Sequence, residues 1–465
     1  MISRREFIES AVVVAAFRDD TLDLVAKAVE WADKHPETAA QDEDFWAKIQ
    51  AAFTQDRNLI NFNNGGVCPA PRIVQEAMKR QLDYANQAPA YHMWRHLEPE
   101  VERVRTRLAK HFGCDREEMA ITRNASEALE ILLYGIDLEP EVEHVRTRLA
   151  KHFGCDREEI AITRNASEAL EIALYGIDLE PGDEILTTNQ DYGRMRTTID
   201  QRVRREGVKK VLVKFPTVPK DMSELTAAIE GGITSRTKMI LICHVINLTG
   251  QIWPVKEVVE LGRRRGIPVI VDGAHAFAHF PFSNEDMKCE YYGTSLHKWL
   301  MAPIGTGFLY VKKDKINDLW SLMASNEEQS ADIRKYEEIG THPAANHNAI
   351  AEALTFHEMI GVERKAARLR YLRTKWISKI REEKSVSYNT NLTDEHSCGI
   401  TNVKIDGIDP GDLTTWLMDS YGIMVVAINH AQYQGIRVTP NVYSTLSEIE
   451  LFGDAMLKAC REGIG

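Results

Sequence analysis

Four short apolar or β-branched runs, Glu184–Thr188, Lys210–Val213, Lys238–Cys243 and Pro268–Val271, are separated by stretches whose apolar positions recur every three or four residues. The runs predict buried β-strands and the stretches predict amphipathic helices, of which 221–229 and 255–265 are the clearest. Strands alternating with helices at this spacing predict an α/β fold built on a mainly parallel sheet. From about residue 315 the texture changes to long charged helical segments, 345–359 and 362–383, followed by a hairpin-like region around 399–405 and 423–438. The pattern therefore divides the chain into an N-terminal segment 1–57, helical and polar from residue 20, a large domain 58–315 and a smaller α+β domain 316–465.

Inside the large domain, residues 98–138 and 139–179 form a direct repeat of 41 residues that differs only at Arg103/His144, Met119/Ile160 and Leu132/Ala173. Each unit reads as a helix with a glycine stop, a short Ala-Ile-Thr strand and a second helix opened by Asn-Ala-Ser-Glu-Ala. Repeat architectures need three or more units to bury a continuous core, so two copies in an otherwise unrepeated chain read as a duplication within a fold that uses one. The second copy is the better fit, because Ile160 is a better strand residue than Met119 and the unit runs directly into Pro181-Gly-Asp-Glu-Ile-Leu186.

With 465 residues, 44% hydrophobic and 27% charged, the chain can bury a large core in more than one domain. A net charge of -12 and the lack of any basic run interleaved with aromatics argue against a nucleic-acid partner. The seven cysteines include no C-x-x-C pair and imply no disulfide framework. His92/His96 and His275/His279 have the i,i+4 spacing of a helical metal pair but no third ligand at a recognised interval, so no metal site is expected. No apolar stretch approaches the roughly 20 residues that span a bilayer, and a soluble protein without a membrane partner is expected. At the N-terminus, Ser3-Arg-Arg-Glu-Phe-Ile8 and the apolar Ala11–Phe17 resemble a twin-arginine export signal, although no small-residue cleavage site follows. Export and a cytoplasmic location both stay open.

The chemistry is concentrated in two segments. Asp272 closes the apolar run Pro268-Val-Ile-Val-Asp-Gly-Ala-His275, and Lys298 lies 26 residues on, inside Gly293-Thr-Ser-Leu-His-Lys-Trp-Leu300. An acid at the carboxyl end of a buried strand can hold a protonated pyridine nitrogen, and a lysine on a following loop can bond the aldehyde of pyridoxal 5′-phosphate (PLP). The pair points to Schiff-base chemistry at an amino acid Cα.

Further segments make residues 58–453 resemble the class V aminotransferase family of fold-type I PLP enzymes, especially the isopenicillin N epimerase-like group. The resemblance implies the type I PLP-dependent transferase fold, with a seven-stranded, mainly parallel sheet and a smaller α+β C-terminal domain. It implies that Lys298 is the Schiff-base lysine, with Ser295 and His297 helping to bind phosphate. Asp272 resembles the acid on the pyridine nitrogen, and His275 the residue touching the ring or its phenolic oxygen. Asn247, in Cys243-His-Val-Ile-Asn-Leu-Thr-Gly250, resembles the donor to that oxygen, and Tyr192 occupies the place of the stacking ring.

The phosphate cup matches Asn165, Ala166 and Ser167 of the second copy, with Asn124, Ala125 and Ser126 as the alternative. Arg437 resembles the clamp on the substrate α-carboxylate. Asn64, in the Asn63-Asn-Gly-Gly66 turn, lies where the family places a loop near the substrate. Thr341 resembles a residue given to the neighbouring subunit's phosphate, which implies a homodimer with shared active sites.

The expected function is a PLP-dependent enzyme, epimerase-like or aminotransferase, acting at the Cα of a free or peptide-borne amino acid. A C–S lyase or desulfurase-type enzyme is the alternative, as is a non-catalytic homologue whose phosphate cup the duplication has disrupted. One departure matters: the family's cysteine desulfurases carry a persulfide-forming cysteine before the substrate arginine, and Ala427-Ile-Asn-His-Ala-Gln-Tyr433 contains none. Cys398 lies upstream, in an expected strand. Sulfur transfer through a protein thiol is therefore disfavoured.

Overall fold

A computed structural model describes residues 39–56, 58–65, 68–87, 142–338 and 345–465, together with the single positions 103 and 106. The possible export signal, His92, His96, Thr341 and, but for those two positions, the first repeat copy lie outside the described residues.

The described chain opens with helix α1 (Glu43–Gln50), the two-residue strand β1 (Ile60–Asn61) and helix α2 (Arg72–Gln87). The second repeat copy then supplies α3 (Val142–Phe153), β2 (Ile160–Thr163) and α4 (Ala166–Gly176), the helix, strand, helix order expected of one unit. Alternation continues with β3 (Glu184–Thr188), α5 (Gly193–Glu206), β4 (Lys209–Val213), α6 (Met222–Gly232), β5 (Thr237–Cys243), α7 (Val255–Arg265) and β6 (Val269–Asp272). Strands β7 (Tyr291–Ser295) and β8 (Gly307–Val311) complete a seven-stranded sheet of order β2-β8-β7-β6-β5-β3-β4. Only β8 runs against its neighbours. The pairs among β4, β3, β5, β6 and β7 are all parallel. The PLP-dependent transferase fold of type I expected from the resemblance is thus present, with its mostly parallel sheet buried between helices.

Two hydrophobic clusters cover the two faces. Side chains such as Ile162, Leu186, Ile240 and Val271 point to one face, and Ala161, Ile185, Leu241 and Ile270 point to the other. Strands buried on both sides explain why these runs are continuously apolar rather than alternating. Strand β7 had no such signature, because Tyr291-Tyr-Gly-Thr-Ser295 is short and broken by glycine. The glycine is required by packing: a Cβ on Gly293 would stand 2.9 Å from Leu170 and 3.0 Å from Ala169 of α4. Lys298 consequently follows the last parallel strand of the sheet.

Beyond the sheet, α8 (Ile350–Ile360) and α9 (Val362–Ile380) lead to the strands β9 (Val386–Tyr388) and β10 (Thr401–Ile405). Helix α10 (Pro410–Tyr421), β11 (Ile423–Met424), β12 (Val426–Asn429), β13 (Gln434–Val438) and α11 (Leu446–Glu462) complete the chain. Strands β12-β13-β10-β9 form an antiparallel sheet with its own core around Trp376, Ile436 and Phe452. The expected helix 345–359 is divided into Ala345–Asn348 and α8. Cys398 sits in a buried bend before β10, not in a strand as its sequence suggested. No described helix is long and apolar enough to cross a membrane.

Packing around the second copy bears on which repeat suits this place. Ala173 is wholly buried in α4, and that helix lies so close to the sheet that a Cβ on Gly307 would meet Asn165 Cα at 2.7 Å. The other copy has leucine at the position of Ala173. Ala173→Leu is expected to cost about 1–3 kcal/mol by overpacking, against under about 1.5 kcal/mol for Ile160→Met, a near volume-conserving change. Urea unfolding of the two variants would check this, and equal losses would mean that packing of α4 does not select the copy.

Candidate active site

The site is built at the carboxyl edge of the parallel strands, where loops diverge and side chains at strand ends face outward. Asp272 ends β6 and is 4% exposed. Its Oδ1 accepts the Ala274 amide at 3.0 Å, and burial raises its carboxyl to about 6, with Lys298 and the Ala274 amide acting in the opposite direction. Lys298 lies in the turn after β7, partly buried. Its Nζ is 3.1 Å from His275 Nε2. Its ammonium is lowered to about 8, above all by burial and also by Arg437, with Asp272 opposing them. An amine with this environment is deprotonated far more readily than an exposed lysine, as a nucleophile must be.

Two contacts hold the lysine turn from behind. His279 stacks on Trp299 with ring centroids 3.6 Å apart and planes 2° apart. Lys365, wholly buried, donates its ammonium to the Trp299 carbonyl. His279 is not available to a metal: Nδ1 bonds the His275 carbonyl at 2.8 Å and Nε2 accepts the Gly399 amide at 2.9 Å.

The cup residues meet at the start of α4. Asn165 caps the helix by accepting the Glu168 amide at 3.0 Å, and the Ala166 amide donates to Ser295 Oγ at 3.0 Å. Ser167 occupies the first turn, partly exposed. An eleven-residue helix pointing its first amides at this corner offers a dipole and donors suited to a phosphate. His297 Nδ1 bonds the Thr306 carbonyl at 3.2 Å, and burial lowers its imidazole to about 4.

Arg437 of β13 arrives from the smaller sheet. Its Nη1 donates to the Asn247 carbonyl at 3.0 Å and its Nη2 to Asn63 Oδ1 at 2.8 Å, while Nε is buried and unpaired. Burial lowers its guanidinium to about 10, so it stays charged at neutral pH. The neighbouring Gly65 leaves room here, because a Cβ would touch Arg437 and His275 at 3.4 Å.

Asn64 and Tyr192 differ in what they present to the site. The Asn64 amide is wholly buried and engaged by protein groups, donating to the carbonyls of Asn61 and Thr439 at 2.8 and 2.9 Å and accepting from Tyr443. Asn63 is the residue of that turn that meets Arg437. Tyr192 stands at the start of α5 with its ring 43% exposed and no ring contact among the described residues. Two further residues escaped sequence reading. Asp191, 2% exposed, accepts from Thr187 Oγ1, the Thr188 amide and the Cys243 amide. Cys243 places its Sγ 3.7 Å from Asp272 Oδ2. Asp191 could have been found by the rule that exposed Asp272, an acid just beyond a buried strand.

The polar set fits PLP. Asn247 Oδ1, His275 Nδ1 and Arg437 Nε are buried and unpaired beside Lys298 and Asp272. A planar ring with a phenolic oxygen, a phosphate and a carboxylate-bearing substrate uses donors and acceptors of this kind. Turning the Asn247 amide end for end presents its N–H instead of its oxygen.

A family model for aminotransferase class-V matches residues 135–452. The chain belongs to the aminotransferase class-V family. That family is PLP-dependent. Two isopenicillin N epimerases are similar over most of the chain: that of Streptomyces clavuligerus is 28% identical over 88% of this chain and 97% of its own length. That of Amycolatopsis lactamdurans is 27% identical over 88% and 98%. A putative L-cysteine desulfhydrase of Oryza sativa subsp. japonica is 27% identical over 58% of this chain and 51% of its own. Among solved structures, the apo cysteine desulfurase of Thermococcus onnurineus NA1 shares the fold with a TM-score of 0.69, at 20% identity over 90% of this chain and 98% of that one. The cystine C–S lyase C-DES, in complex with cysteine persulfide, also has a TM-score of 0.69, at 19% identity over 86% and 98%.

Proposed function

We propose that this class V protein is an epimerase-like PLP enzyme that moves the Cα proton of an amino acid or peptide-borne amino acid. The observation that carries the reading is the convergence of Asp272, Lys298 and Arg437, an acid, an amine and a carboxylate clamp drawn from two sheets. When bound through its aldehyde to the lysine amine, PLP supplies an electron sink that stabilises charge developing at Cα. Asp272 would hold a proton at the pyridine nitrogen. The Ser167 amide at the start of α4, with Ser295 and His297, would hold the phosphate, and Asn247 would meet the phenolic oxygen. Arg437, fixed by Asn247 and Asn63, would bind the substrate carboxylate and orient the substrate at the site. Lys298, its amine brought toward neutral pH by burial, would serve as base or acid on one face of Cα. A homodimer, with Thr341 reaching the neighbouring phosphate, belongs to the same proposal.

C–S cleavage is the second reading, supported by the desulfhydrase and C–S lyase relatives. Transfer of sulfur to a protein thiol has little support, because the 427–433 hairpin has no cysteine. Cys68 and Cys243 are buried, and desolvation raises both thiols, Cys68 to about 12. The deciding measurement incubates PLP-loaded protein with a panel of amino acids in deuterated water. Deuterium at Cα without keto acid is expected for epimerisation. Sulfide released from L-cysteine, or keto acid formed with an amino acceptor, would replace the epimerase reading by lyase or aminotransferase.

A further inference from the structure

Asp272 and its surroundings contain one thiol that the proposed chemistry does not use. Cys243 ends β5 and lies in parallel register with Asp272 at the end of β6. Its backbone amide is held by Asp191 Oδ1 at 2.8 Å, and the Tyr192 amide faces its sulfur. With an N–H directed at the sulfur, the thiol hydrogen has two carboxylates in reach, Asp191 and Asp272, whose Oδ2 is 3.7 Å away. Asp272 Oδ1 is already engaged by the Ala274 amide. Turned to Asp272, the thiol is a side-chain donor on the oxygen left for the cofactor. The other ionisable groups around this carboxyl are Asp191 from the β3–α5 loop, Lys298 from the turn after β7 and Tyr292 of β7.

We infer that Cys243 is a positioning residue, whose thiol, anchored through its amide to Asp191, fixes the Asp272 carboxylate and sustains its charge toward the pyridine nitrogen. The inference rests on the PLP reading above. A thiol is a weak donor, so its hydrogen bond tunes the acid without competing strongly for it. Removing it leaves the buried carboxylate with one partner fewer, which disfavours its charged form. A less negative partner holds the pyridine proton less firmly.

The test compares Cys243→Ala and Cys243→Ser with the wild type, all loaded with PLP. Its readouts are PLP affinity and the pH midpoint of the cofactor's near-visible absorbance. Cys243→Ala is expected to weaken PLP binding about three- to tenfold and to displace the midpoint by roughly half a pH unit, the scale of one lost hydrogen bond. Cys243→Ser, which restores a donor, should return both toward wild type. If Cys243→Ala keeps the wild-type affinity and midpoint, the inference is overturned, whatever happens to its Tm. It is equally overturned if the folded serine variant is no better than alanine. A wild-type protein with no band that borohydride abolishes would instead defeat the PLP reading itself, so the two failures are distinguishable.

Discussion

Lys298→Ala is expected to reduce turnover by roughly 10²–10⁴-fold, the scale of a positioned group that moves a proton in the rate-determining step. The loss should fall on kcat, because the amine acts on the substrate after binding and makes no ground-state contact with its carboxylate. The fold should survive. Lys298 is held below the ordinary lysine range by burial, to about 8, so its ammonium is less favourable in the folded state than in the unfolded chain. The resulting cost is fully present below pH 8 and disappears as pH rises from about 8 toward the unfolded lysine value. At neutral pH the apo variant is therefore expected to escape that electrostatic cost, while losing the packing of the lysine stem. Single-turnover kinetics with any amino acid found to exchange its Cα hydrogen would check the first claim. Full turnover by Lys298→Ala would end the proposed mechanism. The same burial predicts that wild-type apoprotein takes up PLP covalently faster as pH rises through about 8, measured as the rate at which the borohydride-sensitive band appears.

Arg437→Ala is expected to lower kcat/KM by about 30- to 1000-fold, from loss of roughly 2–4 kcal/mol in a desolvated charge-assisted pair. Most of the loss should appear in KM, with cofactor affinity nearly unchanged, since the guanidinium touches Asn63 and Asn247 rather than the cup at α4. Arg437→Lys keeps the charge but not the planar fork, and should recover only part of it. Steady-state kinetics beside PLP titration separates these effects. If KM were unchanged and PLP affinity fell instead, Arg437 would be a cofactor residue and the carboxylate clamp would have to be sought elsewhere.

Much of the scaffold was legible because buried parallel strands are written as continuous apolar runs. Glu184–Thr188 and the run ending at Asp272 could be read without knowing their neighbours. Strand β7 was not legible, since Gly293 serves the approach of Leu170 and Ala169, a contact between segments far apart in the chain. Of the expected site residues, those fixed to strand ends or a helix start came together: Asp272, Ser295, Asn165 and Lys298. Those placed on loops were harder. Asn64 and Asn63 are adjacent and chemically identical, and only the turn's geometry sends one into the interior and the other to Arg437.

By itself the sequence determined the alternating α/β order, the pairing of one acid with one lysine, and the absence of a thiol in the 427–433 hairpin. All three are local properties, set by the period of apolar residues and by residue type. Tertiary structure decided the rest. Register between β5 and β6 brings a thiol to an acid 29 residues away, and the narrow space under α4 accepts the alanine of one repeat copy where the other has leucine. Neither can be read from the chain alone, because strand register and interlayer spacing are properties of what two segments do together, fixed by close packing to within less than a methyl group.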